Sequence, residues 1–227
     1  MTYLEKVTPT SAGIPQRKFH RLYNVSYLAA NGDQKQLERK LPARPAFEKA
    51  CAAFGRGTLI DTVDGPEAIE DLQPSMWVKT PIGQARITWI GSTVMIPDLH
   101  ASSESALTQL IRVQTSILSQ SEYGDLVLGP LARIARPLPD AMDGQAFRYM
   151  DPYAAFGDGA VFPITPSSPV RMFQIMLEGA CVVCTQGLAV ETLNPGHLKE
   201  FATAEDWPLL AQLFASAPAP QSVAATA

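Results

Sequence analysis

Tyr23, Val25 and Tyr27 alternate with Asn24 and Ser26, the two-residue period of a strand with one buried face. Asn31-Gly32 follows, a pair that tolerates positive φ and signals a tight hairpin. The return strand falls at Gln36 to Lys40, whose charges suit an exposed edge. Pro45 to Phe54 predicts a short helix, with Pro45 in its first turn and Phe47, Cys51 and Phe54 at i, i+4 and i+7. Gly55 and Gly57 end it. Thr58 to Thr62 is strand-like, and Asp64-Gly65-Pro66 turns the chain back into Ala68 to Leu72. Met76, Val78 and Thr80 alternate next, and after Pro81-Ile82-Gly83 the pattern resumes at Ile87, Trp89 and Gly91. Such closely spaced short strands predict a sandwich or barrel rather than βαβ units.

Beyond a polar loop at Asp98 to Ser105, Leu107 to Leu118 keeps a period of two, broken at Leu110 and Leu118, and predicts a strand. Asp125 to Leu128 is a short apolar run before Gly129-Pro130, and Pro137 to Pro169 reads as a loop-rich excursion. Strands return at Met172 to Leu177 and Cys181 to Thr185, around a Glu178-Gly179 turn. Thr203-Ala204-Glu205-Asp206 would cap a helix reaching Phe214. The first dozen residues and Ala215 to Ala227 have the composition of disordered ends.

Composition acts by exclusion. The chain has 227 residues, 46% hydrophobic and 18% charged, which rules out wholesale disorder. Nineteen prolines and fifteen glycines favour short strands over long helices. A net charge of −4 argues against a nucleic-acid surface. Met172 to Val190 is interrupted by Gln174, Glu178 and Gln186, so it is no membrane span. No secretory signal is visible at the N-terminus and three cysteines make no disulfide framework, so the cytoplasm is the default expectation.

Cys181-x-x-Cys184 invites a zinc or redox reading. Zinc wants four ligands, whereas the remaining cysteine (Cys51) and the histidines (His20, His100, His197) are scattered. A redox pair opens a helix, and Val182-Val183 are strand formers. No metal or cofactor is therefore expected, and both thiols read as packing groups. Cys51 has no histidine near it in sequence, and its phase with two phenylalanines points to the core. Glu70 and Asp71 point to opposite faces if extended, so they read as a turn or edge feature. Gly55-Arg56-Gly57 lacks the Lys-Ser/Thr of a phosphate loop, and His197 after Asn194-Pro195-Gly196 reads as solvated.

Ala53-Phe54-Gly55-Arg56-Gly57-Thr58-Leu59-Ile60, then Asp64-Gly65-Pro66, Ala68 to Leu72 and Thr88 to Gly91 resemble the opening of a Hint (Hedgehog/intein) domain. Asp125 to Arg133 and Val170 to Gly196 continue the likeness, which is greatest to bacterial stand-alone Hint proteins. The resemblance implies an all-β horseshoe or disc of short antiparallel strands, with one or two short helices. It divides the chain into a hairpin-bearing arm (1–44), a Hint-like domain (45–196) and a C-terminal helix with a tail (197–227).

The family's reaction starts when a Cys or Ser at the head of the domain attacks the preceding peptide carbonyl, giving a thioester or ester. The same register puts Ala53 at that nucleophile position. Where the resemblance implies histidines, this chain has Ala132 in the Gly129 to Ala132 segment, Gln174 in Phe173-Gln174-Ile175, and Ala180. Between His100 and His197 there is no histidine at all. The expectation is an autoprocessing-inactive scaffold that binds a protein partner. The alternative is self-cleavage using Cys51 or Thr58, with Asp71 or Gln174 assisting.

Overall fold

The computed structural model describes residues 19–97, 104–119, 124–138 and 147–214. The segments read as disordered ends, most of the polar loop and His100 lie outside them. Strands β1 (His20–Leu28) and β2 (Gln34–Pro42) form the expected hairpin, registered from His20↔Pro42 to Leu28↔Gln34. Helix α1 (Pro45–Cys51) starts on Pro45 but stops three residues short of the expected Phe54. Phe47 and Cys51 fill one core, whereas Phe54 fills another, so the chain leaves the helix and enters β3 (Phe54–Gly55).

Strand β4 (Leu59–Thr62) pairs with β5 (Gly65–Ala68), so the return begins at Gly65 rather than Ala68. The Ile69 N–H donates to Thr58 O and closes the corner. Next come β6 (Trp77–Thr80) and the thirteen-residue β7 (Gly83–Met95). Its first residues pair with β6, and its later ones pair with β1 through Trp89 to Ser92. The N-terminal hairpin is therefore part of the main sheet.

The expected strand from Leu107 to Leu118 divides into β8 (Leu110–Val113) and a helical turn, α2 (Thr115–Ser119). The apparent period of two past Val113 is accidental, since Ile117 is exposed. β9 (Leu126–Leu128) follows as expected. The expected loop of Pro137 to Pro169 is more ordered, holding the end of β10 (Ile134–Pro137), β11 (Phe147–Met150), α3 (Pro152–Phe156) and β12 (Val161–Ile164). Two of its prolines occupy permitted places. Pro152 sits in the first turn of α3 behind the Asp151 cap, and Pro163 is in an edge strand. β13 (Val170–Leu177), β14 (Val182–Thr185) and β15 (Leu188–Glu191) lead to a 3-10 turn at Pro195–Glu200 and to α4 (Trp207–Phe214).

The larger sheet runs β12-β8-β9-β3-β13-β7-β6-β4-β5, with β1 and β2 added at β7. The smaller is β11-β10-β15-β14. All strand pairs among the described residues are antiparallel and the helices are few and short, so the fold is all-β. The first core gathers Phe54, Ile60, Ile87, Leu128, Phe173 and Ile175 between strands. The second packs Tyr23, Phe47, Trp89 and Leu210 under the N-terminal hairpin, α1 and α4. Each such side chain contributes about 1.5–3 kcal/mol on burial. Gly91 permits that second core. A Cβ there would lie 2.1 Å from the Trp89 ring and 2.8 Å from Cys51 Sγ.

Candidate functional site

Ala53 is held between two strands. Its N–H donates to Phe173 O at 2.8 Å, and its carbonyl accepts from Gly129 N–H at 2.9 Å. Ala132 N–H in turn donates to Gly129 O at 3.1 Å, so the Gly129 to Ala132 bend sits directly beside Ala53. Ala53 and Ala132 are both buried in the first core, and Ala180 packs at its margin. Three of the four positions singled out by the resemblance thus share one apolar environment. No proton carrier is among them.

Gln174 is fully buried one residue along β13 from Ala53's partner, Phe173. Phe173 and Ile175 belong to the first core while Met172 and Met176 do not, so alternation places Gln174 on the far face. Its Oε1 accepts from Ile175 N–H at 2.9 Å, and its Nε2 has no hydrogen-bond partner among the described residues. An amide lacks the basic nitrogen that a histidine would supply. Leu193 N–H donates to Ile175 O at 2.7 Å, so the two ends of the Hint-like region close on the same strand.

The alternative nucleophiles do not meet. Cys51 is wholly buried in the second core, and burial pushes its thiol pKa far up. Thr58 is buried past the Gly57 corner, and Asp71 is exposed in a turn. Among the described residues, no side-chain hydrogen bond joins Cys51 or Thr58 to a histidine or carboxylate.

Sequence reasoning missed Glu191. Its side chain is completely buried at the end of β15 and bound by Lys49, Arg133 and His197. Arg133 grips it with Nη2 on Oε1 at 2.6 Å and Nε on Oε2 at 2.8 Å, a bidentate fork. Lys49 Nζ donates to Oε2 at 2.5 Å and to Leu131 O at 2.8 Å. His197 Nδ1 lies 2.6 Å from Oε1. His197 is therefore not the solvated residue expected from its turn. The 3-10 turn, started by Pro195 and capped by Asn194, carries it onto Glu191 and edge-on to Tyr149 at 5.1 Å.

Burial alone would raise the Glu191 carboxyl. Hydrogen bonds from His197 and Arg133, with the charge and hydrogen bond of Lys49, outweigh it and hold the group at about 2. Lys49 is itself lowered by its burial, against the pull of Glu191. A carboxyl depressed from 4.5 to about 2 contributes stability that is full above pH 4.5 and lost as pH falls towards 2. Urea midpoints are accordingly expected to fall across that window, with a smaller fall in Glu191→Gln. Equal falls in both proteins would contradict the assignment.

Cys181 lies close to this cluster, with Asn194 Nδ2 donating to its sulfur at 3.4 Å. The same Nδ2 is 3.5 Å from His197 Nε2, so an amide stands between thiol and imidazole. Burial, then the Glu191 charge, raises the Cys181 thiol above its ordinary value, which is the wrong direction for a nucleophile. Burial likewise raises Cys184. All three cysteines are free, and no group of three or more metal-ligating side chains occurs among the described residues.

The family model of the Hint domain matches residues 52–197, more than half of the chain. The protein belongs to the Hint domain family. Among solved structures, the crystal structure of the TvoVMA intein is similar at 11% identity, covering 61% of this chain and 95% of that one, with a TM-score of 0.37. A search of curated proteins found no match.

Proposed function

We propose that this chain is a Hint scaffold without self-cleaving activity, serving as an interaction module for a protein partner. The observation that carries the reading is Ala53. At the position where the resemblance puts the attacking Cys or Ser stands a buried methyl group, in the core that also holds Ala132 and has Ala180 packed against it. An acyl shift needs a nucleophile and a group that takes its proton, and Gln174 and the alanines supply neither. The pinned backbone around Ala53 remains, so the scaffold has been kept while its reactive atoms are gone. Free thiols suit work in a reducing compartment. No helix among the described residues is long and apolar enough to cross a membrane.

The test is intact mass after incubation with dithiothreitol and hydroxylamine, which capture thioesters and esters. One unchanged mass is expected, and loss of the segment preceding Cys51 or Thr58 would refute the proposal.

A further inference from the structure

Among the described residues, the smaller sheet carries a pair of facing arginines with no carboxylate partner. In the β10–β11 ladder Arg136 stands directly opposite Arg148, and both are exposed. Residues opposite each other in an antiparallel pair project from the same face, and like charges placed so are destabilising. Arg136 is stacked 4.7 Å over the Phe156 ring and donates one N–H to Ala155 O, leaving the rest of its guanidinium edge open. Arg148 makes no hydrogen bond or ion pair among the described residues. Arg21, Arg44, Arg56, Arg86, Arg112 and Arg133 all have carboxylate partners. Among the described residues Arg39 and Arg171 lack one too, but they lie on separate strands that do not pair with each other.

We infer that Arg136 and Arg148 form a clamp for the carboxylates of an acidic peptide segment in a protein partner. Guanidinium groups bind carboxylates through paired N–H donors, and two of them on one face suit neighbouring Asp or Glu side chains. The Phe156 stack fixes one guanidinium in advance, which lowers the ordering cost of binding. The chain as a whole is negative, at −4, so its general field repels such a peptide. Attraction has to be local. The inference rests on the interaction-module part of the proposed function but is independent of whether cleavage chemistry survives.

The experiment is fluorescence anisotropy with a labelled peptide rich in Glu and Asp, beside its Gln/Asn counterpart, on the full chain at low and moderate salt. Saturable binding of the acidic peptide alone is expected, weakening as salt rises. Arg136→Gln/Arg148→Gln is expected to weaken it at least tenfold. Arg39→Gln/Arg171→Gln removes the same charge elsewhere and is expected to leave it within about twofold. Arg148→Glu adds a second readout, a raised melting temperature with binding lost, because an opposite-charge pair replaces a repulsive one. No saturable binding, or equal losses in the two double variants, would overturn the clamp. An unchanged intact mass alongside that failure would leave the inert-scaffold reading standing, and a cleaved mass would remove that reading alone.

Discussion

Glu191→Gln is expected to cost about 3–5 kcal/mol, the usual penalty for removing one partner from a buried ion pair. Glu191 is the common acceptor for Lys49 on α1, Arg133 after β9 and His197 on the 3-10 turn. Glutamine keeps the shape but removes the charge, leaving the Lys49 ammonium, only 3% exposed, without a counterion. The acceptor left to it among the described residues is Leu131 O. Lys49→Met is expected to cost much less. Glu191 then keeps Arg133 and His197, and methionine fills the apolar space of the lysine stem. Urea unfolding of the two variants checks this, and a loss below about 1 kcal/mol for Glu191→Gln would contradict the hub role.

The second large effect is expected at Gly129. A Cβ there would fall 1.9 Å from Ala52 O and 3.0 Å from Ala52 C. Both are backbone atoms that cannot rotate aside, and they sit one residue before Ala53. Gly129→Ala therefore has to push the bend away from β3 and break the Gly129 N–H to Ala53 O hydrogen bond. Overpacking of this kind costs about 1–3 kcal/mol, and a clash with backbone puts it at the upper end or beyond. Gly159→Ala is the control, since a Cβ there meets nothing within 4 Å. It is expected to stay within about 0.5 kcal/mol of the parent. Equal melting curves for the two alanine variants would show that the bend yields easily.

Local patterns carried much of the fold. The Asn31-Gly32 hairpin, β6, β7, β13 and β14 are visible because β1, β6 and the middle of β7 alternate, β13 and β14 are short, mostly apolar runs, and the turns have their own chemistry. β11, α3 and β12 were hidden because their prolines and glycines mimic a loop while occupying a helix start, a helix end and an edge strand. Phe54 kept helical phase with Phe47 and Cys51, yet it is claimed by a different core, a decision that only tertiary packing makes.

At the site, the resemblance singled out Ala53, Ala132, Gln174 and Ala180, and the structure places Ala53 and Ala132 in one core with Ala180 at its edge. Glu191 could not be read. Its partner Lys49 is 142 positions away and Arg133 is 58 away, so no spacing rule connects them. The one legible trace was His197 in an Asn-Pro-Gly turn, and a turn ordinarily points to solvent. Here the turn folds inward because a buried carboxylate awaits the imidazole.

A Hint scaffold without self-cleaving chemistry, as proposed for this chain, leaves a single covalent species. Intact mass of freshly purified wild-type protein and of Cys51→Ala, each held at neutral pH with and without dithiothreitol and hydroxylamine, tests it most directly. One unchanged full-length mass is expected for both proteins in every condition. A nucleophile-dependent fragment ending before Cys51 or Thr58 would contradict it, and its disappearance in Cys51→Ala would make that buried thiol the attacking group.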